Sequence, residues 1–365
     1  MSSALNDVAK APLPILQLVD VYKRFNEFTA VSGISLNILD GEFLTVVGPS
    51  GSGKTTLLRM LAGMEAPSDG NITLRGELIN NVPAKQRPTC LVFQSLALFP
   101  HKTVGENIEF PLKVKSVPPA QRKERALELL RMLRLPESYY GKNVMKCSGG
   151  EKQRVALARA FAYDPDVLLF DEPLSALDYK LKKVLEKELK DLHRESGKTF
   201  VYITHSLEEA MVMSDRIAVM SAGKIVQIGT PESIYARPET EFVAEFFGEV
   251  NKFPLVRDPE RGWFSADTDS AVTLTLPDSL QGAQAATLIV RPEYMRFASA
   301  PDEFDNVIRG SVFNEYSLGS RIQYQVRCGE KSVLIEIPRT LARDAALDQQ
   351  VMIGWNAADA FVAEA

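Results

Sequence analysis

A glycine-rich run near the start of the chain has the composition of a phosphate-binding loop. Residues 48–56 have the sequence GPSGSGKTT and fit the pattern G-x-x-x-x-G-K-[ST]. Glycines let backbone N–H groups turn toward phosphate oxygens, and the start of a following helix adds partial positive charge. Lys54 is predicted to contact the β and γ phosphates of a nucleotide, and the Thr55 hydroxyl to bind Mg²⁺. We expect the whole loop to contact the nucleotide: Gly48, Pro49, Ser50, Gly51, Ser52, Gly53, Lys54, Thr55 and Thr56.

A second candidate phosphate site is the helix start Ser148-Gly149-Gly150-Glu151. Ser-x-x-Glu is also a capping box, which by itself explains these residues. The two glycines, however, leave backbone donors free to meet an anion. One chain with two phosphate-binding surfaces indicates a site assembled from both.

Two carboxylates, Asp171 and Glu172, follow the apolar strand predicted at Val167–Phe170. Neighbouring residues of a strand point to opposite faces, so one carboxylate can face a metal and the other a water molecule. An ordinary polar strand ending is the plain alternative. With the phosphate loop upstream, we predict Asp171 as the Mg²⁺ ligand and Glu172 as the general base.

Gln94 and His205 each follow a predicted strand, Cys90–Phe93 and Phe200–Thr204 respectively. Taken alone, such residues are typical of polar strand ends and turns. They become candidates for catalysis because of their order along the chain relative to the other motifs.

That order resembles the ABC ATPase family over about the first 240 residues. The resemblance implies that Gln94 senses Mg²⁺ and the membrane partner, and that His205 holds the γ-phosphate. Phe25 matches the aromatic residue that stacks on adenine, although Tyr22 lies close to it in sequence. Asp178 ends a stretch, Ser175–Asp178, that resembles the D-loop.

Ser148, Gly149 and Gly150 resemble the core of the family's signature motif, which binds ATP held by a second subunit. The signature usually begins with Leu and ends with Gln, whereas this chain has Cys147 and Glu151. An extra carboxylate at this position would weaken ATP binding unless Glu151 turns back into the capping box. Both outcomes are open from the sequence.

The elements that must position these residues alternate between strand and helix. The predicted strands also include Ile15–Val21, Val31–Ile38 and Phe43–Val47, and the predicted helices are Thr55–Gly63, Gln121–Leu135, Lys152–Tyr163 and Asp178–Ser196. Leu181, Val184, Leu185, Leu189 and Leu192 form one predicted apolar stripe. The resemblance implies an α/β P-loop NTPase at 15–240, with a RecA-like core, an antiparallel β subdomain and a helical subdomain at about 95–165.

The remainder, 241–365, is predicted to be a separate all-β domain, because short strands such as Val333–Ile337 and Val351–Trp355 dominate it. The motifs Gly248–Asn251, Val290–Glu293 and Tyr316–Ser320 resemble the OB-like (TOBE) extension of importer ATPases. The spermidine/putrescine importers are the most similar group, and importers of iron, sulfate, sugars or opines are the alternatives. This extension would stabilise a dimer or bind a regulator.

Composition limits the function classes. The net charge is -5, three cysteines stand far apart, and no apolar run approaches the roughly 20 residues that span a bilayer. The resemblance implies a homodimeric ATPase on the cytoplasmic face of the inner membrane. It would be bound to permease subunits, and a solute-binding protein would deliver the solute to those subunits. An ABC ATPase acting on DNA or ribosomes lacks support, because this chain has a single motif set, no zinc cysteines and no basic stripe for nucleic acid. A kinase or GTPase would leave Ser148–Gly150 and His205 unexplained.

Overall fold

The computed structural model describes residues 14–260, 262–265, 267–268, 270–274, 280–342 and 348–364. The chain divides into two compact units, residues 1–232 and 233–365. The sequence analysis placed the domain boundary at 240, so the two boundaries fall close together. No helix among the described residues combines the length and apolar character needed to cross a membrane.

The first unit contains two sheets and six helices that begin and end within its described part. Its strands are β1 Pro14–Phe25, β2 Phe28–Leu39, β3 Phe43–Val47, β4 Asp69–Leu74, β5 Glu77–Leu78, β6 Thr89–Val92, β7 Val167–Asp171, β8 Thr199–Ile203, β9 Arg216–Ser221 and β10 Lys224–Gly229. Its helices are α1 Lys54–Ala62, α2 Val104–Val114, α3 Pro119–Met132, α4 Gly149–Ala162, α5 Tyr179–Ser196 and α6 Leu207–Met213.

The six-stranded sheet of this unit has the order β10-β9-β3-β8-β7-β6. All its strand pairs are parallel except β9 with β10. Strands β3 and β8 are fully buried because helices cover both faces, which explains their continuous apolar sequences. The carboxyl ends of parallel strands meet at one edge, so the loops after β3, β6, β7 and β8 emerge side by side.

A four-stranded antiparallel sheet, with the order β2-β1-β4-β5, forms the second layer. The β1–β2 hairpin turns tightly, with Phe25 paired to Phe28. Its second strand passes close to the phosphate loop, since a Cβ atom at Gly53 would lie 2.3 Å from the Ala30 carbonyl oxygen. This sheet and the parallel core agree with the predicted α/β architecture.

Helix α5 is amphipathic as predicted, but its buried stripe is narrower than the sequence indicated. Leu185, Leu189 and Leu192 are buried, whereas Val184 is 50% exposed. The inclusion of Val184 in the apolar stripe was therefore wrong. Helices have 3.6 residues per turn, which places Val184 on the flank of the stripe rather than at its centre.

The second unit is rich in β-strands. Its described elements are α7 Pro231–Ala236, which crosses the division, α8 Glu241–Phe246, and strands β11 Asn251–Asp258, β12 Gly262–Ser265, β13 Ser270–Ala271, β14 Ala285–Val290, β15 Arg296–Ala298, β16 Asn306–Ser317, β17 Arg321–Cys328, β18 Lys331–Pro338, β19 Gln350–Trp355 and β20 Ala360–Glu364. The two five-stranded sheets have the orders β13-β12-β11-β14-β20 and β15-β19-β16-β17-β18. Phe253 of one sheet stacks on Trp355 of the other at a centroid distance of 5.2 Å, so the sheets share one core.

Candidate functional site

The phosphate loop joins β3 to α1 as a rigid, glycine-dependent turn. Gly48, Gly51 and Gly53 have φ angles of 155°, 79° and 101°. A side chain at Gly48 would also collide with the backbone, because its Cβ atom would lie 2.1 Å from the Met220 carbonyl oxygen. Only glycine fits at this position without a shift of the backbone.

The start of α1 is free to bind an anion. Gly53 caps the helix without any side-chain hydrogen bond, so the first backbone N–H groups lack a side-chain acceptor. The Ser52 hydroxyl is buried and has no hydrogen-bond partner. The Lys54 ammonium donates to the Gly48 and Pro49 carbonyl oxygens at 2.8 and 2.9 Å.

Burial and nearby negative charge have opposite effects on the pKa of Lys54. Burial lowers the pKa of its ammonium group, and the nearby carboxylates of Glu172 and Asp171 raise it. An ammonium group held in a partly desolvated site interacts strongly with phosphate oxygens, because less water competes for it.

Asp171 lies at the end of β7, within hydrogen-bonding reach of the Thr55 hydroxyl. Burial and the adjacent Glu172 raise the pKa of its carboxyl group, whereas Arg59, the Thr55 hydrogen bond and Lys54 lower it. A bound cation would relieve this unfavourable burial of negative charge. The hydroxyl and carboxylate oxygens of Thr55 and Asp171 are ligands that Mg²⁺ prefers, so the donor set fits that ion.

Glu172 departs from the strand geometry that the sequence analysis assumed. Strand β7 ends at Asp171, and Glu172 follows with a left-handed φ of 46°. The direction of the Glu172 side chain is therefore set by a turn, and not by the alternation of side chains along β7 that the sequence analysis assumed. Left-handed backbone at a non-glycine residue costs about 1–3 kcal/mol and is found at functional sites.

Hydrogen bonds bring the predicted residues of three loops together around Glu172. His205 Nδ1 lies 3.0 Å from Glu172 Oε2. Gln94 Nε2 donates to the Ser175 hydroxyl at 3.1 Å, and that hydroxyl donates to the Glu172 carbonyl oxygen at 2.9 Å. The loops after β6, β7 and β8 are thus linked directly.

The segment after Gln94 is held in a strained shape by Arg159 of α4. Leu96 and Ala97 have φ angles of 61° and 46°. The Arg159 guanidinium donates to both of their carbonyl oxygens, at 2.6 and 2.7 Å. The Arg159 side chain therefore connects α4 to the loop that carries Gln94.

The start of α4 settles the two alternatives for Glu151. The Ser148 hydroxyl accepts from the Glu151 amide at 3.3 Å, and Glu151 Oε2 accepts from the Ser148 amide at 2.8 Å. Glu151 does turn back into the capping box. Gly149 and Gly150 lie against Leu177 and Leu181, since added Cβ atoms would approach these side chains to 3.4 and 2.9 Å.

Ser148–Gly150 form a surface separate from the phosphate loop within this chain. No hydrogen bond or ion pair recorded among the described residues joins the two. Asp178 caps α5 by accepting from the Leu181 amide at 3.0 Å and is exposed. Its predicted contact with nucleotide stays a prediction.

The predicted adenine contact lies at the tip of the β1–β2 hairpin. Phe25 is 43% exposed, and its cross-strand neighbour Phe28 is 62% exposed. Tyr22 is half-buried, with its hydroxyl near Gly33, away from this tip. Two exposed aromatic residues therefore lie at this tip, of which the sequence analysis considered only Phe25, and the adenine contact stays a prediction.

Sequence reasoning also missed several residues that support the site. Arg59 lowers the pKa of the Asp171 carboxyl group, and Arg159 donates to the backbone of the segment after Gln94. Tyr139 and Lys142 bind Glu151, at 2.9 and 3.3 Å. No local pattern marks these residues, because each acts through a neighbour distant in sequence.

Two family models match the chain. One, described as ABC transporter, matches residues 31–175, and the other, described as TOBE domain, matches residues 288–362.

Several curated relatives carry the name spermidine/putrescine import ATP-binding protein PotA. The protein from Trichodesmium erythraeum is 40% identical, with 93% of this chain and 92% of the relative covered. The protein from Thermotoga maritima is 39% identical over 96% and 98% of the two chains. The protein from Bacillus thuringiensis is 54% identical over 65% and 72%.

Solved structures with the same fold include a bacterial ABC transporter cassette in dimeric form. It is 34% identical, covers 59% of this chain and 98% of its own, and has a TM-score of 0.53. A post-hydrolysis state of that cassette, bound to ADP and phosphate, is 33% identical over 59% and 98% of the chains, with a TM-score of 0.52.

Proposed function

Because the chain belongs to the ABC transporter family of ATP-binding proteins, we propose that it hydrolyses ATP to drive import of a polyamine such as spermidine or putrescine. The observation that carries the ATPase proposal is the convergence of Lys54, Asp171, Glu172 and His205 beside an uncapped helix start. The polyamine rests on the names of relatives that match nearly the whole chain.

Each residue of the site has a role in this proposal. The amides of residues 48–56 and Lys54 bind the phosphates, and Phe25 or Phe28 stacks on the adenine. Thr55 and Asp171 hold Mg²⁺, with Gln94 nearby. When bound, Mg²⁺ neutralises charge on phosphate oxygens.

Glu172 acts as the general base toward the attacking water, and His205 orients its carboxylate and meets the γ-phosphate. Glu172 follows β7 in a left-handed turn, and its carboxylate is close enough to Lys54 of the phosphate loop to raise the pKa of that ammonium group.

Two copies of the chain complete each site. The start of α4, residues 148–150, has no hydrogen bond to its own phosphate loop among the described residues and is proposed to bind ATP held by the second copy. The dimeric form of the similar cassette supports this arrangement. Asp178, next to the signature through Leu177, would lie at the same interface.

The membrane partners are proposed to be permease subunits. The segment 94–101 would transmit the state of the nucleotide to them, because Gln94 is linked to Glu172 through Ser175. The protein would then act at the cytoplasmic face of the cell membrane, and a solute-binding protein would deliver the polyamine.

The substitution Glu172→Gln tests the ATPase proposal. We expect ATP binding and ATP-dependent dimers to remain while hydrolysis falls by roughly two to four decades, the usual effect of losing a general base. Near-normal turnover would remove Glu172 from this role. As a test of the composite site, Ser148→Arg should abolish hydrolysis but leave ATP binding to the monomer.

Transport is tested with the complete complex in vesicles. We expect spermidine, presented with its binding protein, to stimulate ATP hydrolysis by the wild-type complex. Stimulation instead by iron, sulfate, a sugar or an opine would overturn the polyamine proposal and leave the ATPase proposal intact.

A further inference from the structure

We propose that Lys142 and Tyr139 are positioning residues that hold the Glu151 carboxylate in the cap of α4 and offset its charge, so that Ser148–Gly150 can accept an anionic phosphate. This inference rests on the proposed composite site. It explains how a signature motif that ends in a carboxylate remains compatible with ATP.

Both oxygens of the Glu151 carboxylate are occupied. Oε2 accepts from the Ser148 amide at 2.8 Å and from the Lys142 ammonium at 3.3 Å. Oε1 accepts from the Tyr139 hydroxyl at 2.9 Å. The carboxylate is therefore fixed between the Ser148 amide and two side chains of the preceding segment, those of Tyr139 and Lys142.

Tyr139 and Lys142 form a unit of their own. The Lys142 ammonium lies 3.6 Å from the centroid of the Tyr139 ring, a cation–π contact. The Lys142 amide donates to the Tyr139 carbonyl oxygen at 2.9 Å, and the Lys142 carbonyl accepts from the Val104 amide at the start of α2. These bonds fix the backbone of Lys142, and the ring contact gives its ammonium group a partner other than Glu151.

The charges explain why the pair matters for phosphate binding. An isolated carboxylate in the first turn of a helix favours the helix but repels a second anion at the same place. Lys142 and Glu151 are each about one quarter exposed, with side-chain values of 25% and 24%, so water screens their attraction only partly. The same contacts, above all the Ser148 amide, lower the pKa of Glu151 and keep it ionised.

The hydrogen-bond donors that remain for phosphate are those not used in the capping box of Ser148 and Glu151. The Ser148 hydroxyl accepts from the Glu151 amide, which leaves its hydrogen free to donate. The amides of Gly149 and Gly150 follow in the same turn. Leu177 and Leu181 pack against these glycines and fix the direction of the amides.

The test compares Lys142→Met with the double variant Lys142→Met/Glu151→Gln, both in full-length protein. Half-maximal ATP is measured for hydrolysis, and for dimer formation in the Glu172→Gln background. K142M should raise the half-maximal ATP concentration about threefold to tenfold, as expected for one partly exposed charge pair near a phosphate. In the double variant, the half-maximal ATP concentration should return to within about twofold of wild type, because the uncompensated carboxylate of Glu151 is gone.

Two further measurements separate charge from structure. The K142M defect should shrink in high salt, since salt screens the repulsion. Lys146→Met removes an exposed lysine of the same segment with no bond to Glu151, and it should change half-maximal ATP less than K142M. Tyr139→Phe should give a smaller defect in the same direction, because it loosens the carboxylate without removing the positive charge.

Three results would overturn the inference. One is wild-type ATP dependence in K142M. Another is a K142M defect that persists in the double variant with E151Q or that high salt leaves unchanged. Either outcome would indicate that Lys142 has a purely structural role. If instead S148R leaves hydrolysis intact, the composite site itself fails, and that result is distinct from either of the other two.

Discussion

His205 Nδ1 lies 3.0 Å from Glu172 Oε2, although the two residues come from loops after different strands. Replacing His205 with Ala removes the bond to the Glu172 carboxylate and the group that is proposed to meet the γ-phosphate. We expect hydrolysis to fall by about two decades with ATP binding nearly unchanged, the scale of losing one electrostatic group. Steady-state hydrolysis and equilibrium ATP binding measure the two effects separately.

The control for that variant is His193→Ala. His193 Nε2 contacts the Gly41 carbonyl oxygen at 3.0 Å, and its ring packs against Phe43 and Phe200. This variant should lower thermal stability and leave turnover per folded molecule unchanged. Equal losses of turnover in both variants would contradict a catalytic role for His205.

Gly53→Ala should abolish nucleotide binding. A Cβ atom there would lie 2.3 Å from the Ala30 carbonyl oxygen, at a φ of 101°, so the phosphate loop must move. Gly76→Ala is the matched control, because its φ is 82° but nothing lies within 4 Å of the added atom. G76A should cost about 1–2 kcal/mol of stability and leave ATP binding intact. Fluorescent ATP-analogue titration compares them.

Arg159→Met should release the segment after Gln94. Loss of two charge-assisted bonds to the Leu96 and Ala97 carbonyls should destabilise their left-handed backbone. We expect hydrogen exchange across residues 95–101 to accelerate at least tenfold, which corresponds to about 1.4 kcal/mol of local stability.

Arg154→Met is the control for this effect, since Arg154 lies on the same helix but pairs with Glu188 at 2.9 Å. Its exchange pattern across 95–101 should match wild type. Unchanged exchange in R159M would show that other contacts hold this segment.

Arg87→Met should be strongly destabilising. Arg87 is 1% exposed, and its guanidinium donates to the carbonyls of Met60, Leu61, Ile79 and Val82. The carbonyl oxygens would lose their donors while still buried, at a cost of about 3 kcal/mol or more in the free energy of unfolding. Arg75→Met, at an exposed site paired with Asp40 and Asp166, should cost about 1 kcal/mol or less. Denaturant unfolding measures both.

The stability of the second unit should decline at alkaline pH through Tyr235. Burial and the hydrogen bond to Glu293 raise the pKa of its phenol to about 12. The pKa of a tyrosine in an unfolded chain is about 10. The folded state therefore keeps its proton longer, and this contribution is complete below about pH 10 and is lost as pH rises through about 12.

Tyr235→Phe should flatten this alkaline loss, as followed by unfolding between about pH 9 and pH 12. A profile for Y235F that coincides with wild type would contradict the prediction.

Much of the fold follows from local patterns. Strand β3 has the predicted bounds, and α1, α4 and α5 differ from prediction by a few residues at their ends. These elements are signalled by apolar runs and by glycines whose positive φ is needed, and both features are encoded within one short segment. The alternation argument for Glu172 failed because the strand stops one residue earlier than it required.

The sequence by itself determined the types of group in the site, their order along the chain, and the family, because each motif is a contiguous stretch. Only the tertiary structure decided which groups meet. The contacts of Glu172 with His205, Gln94 with Ser175, Arg159 with the Ala97 carbonyl, and Lys142 with Glu151 join segments whose spacing has no period. Such contacts are set by the parallel strand order and by helix packing, and no local pattern in the sequence encodes them.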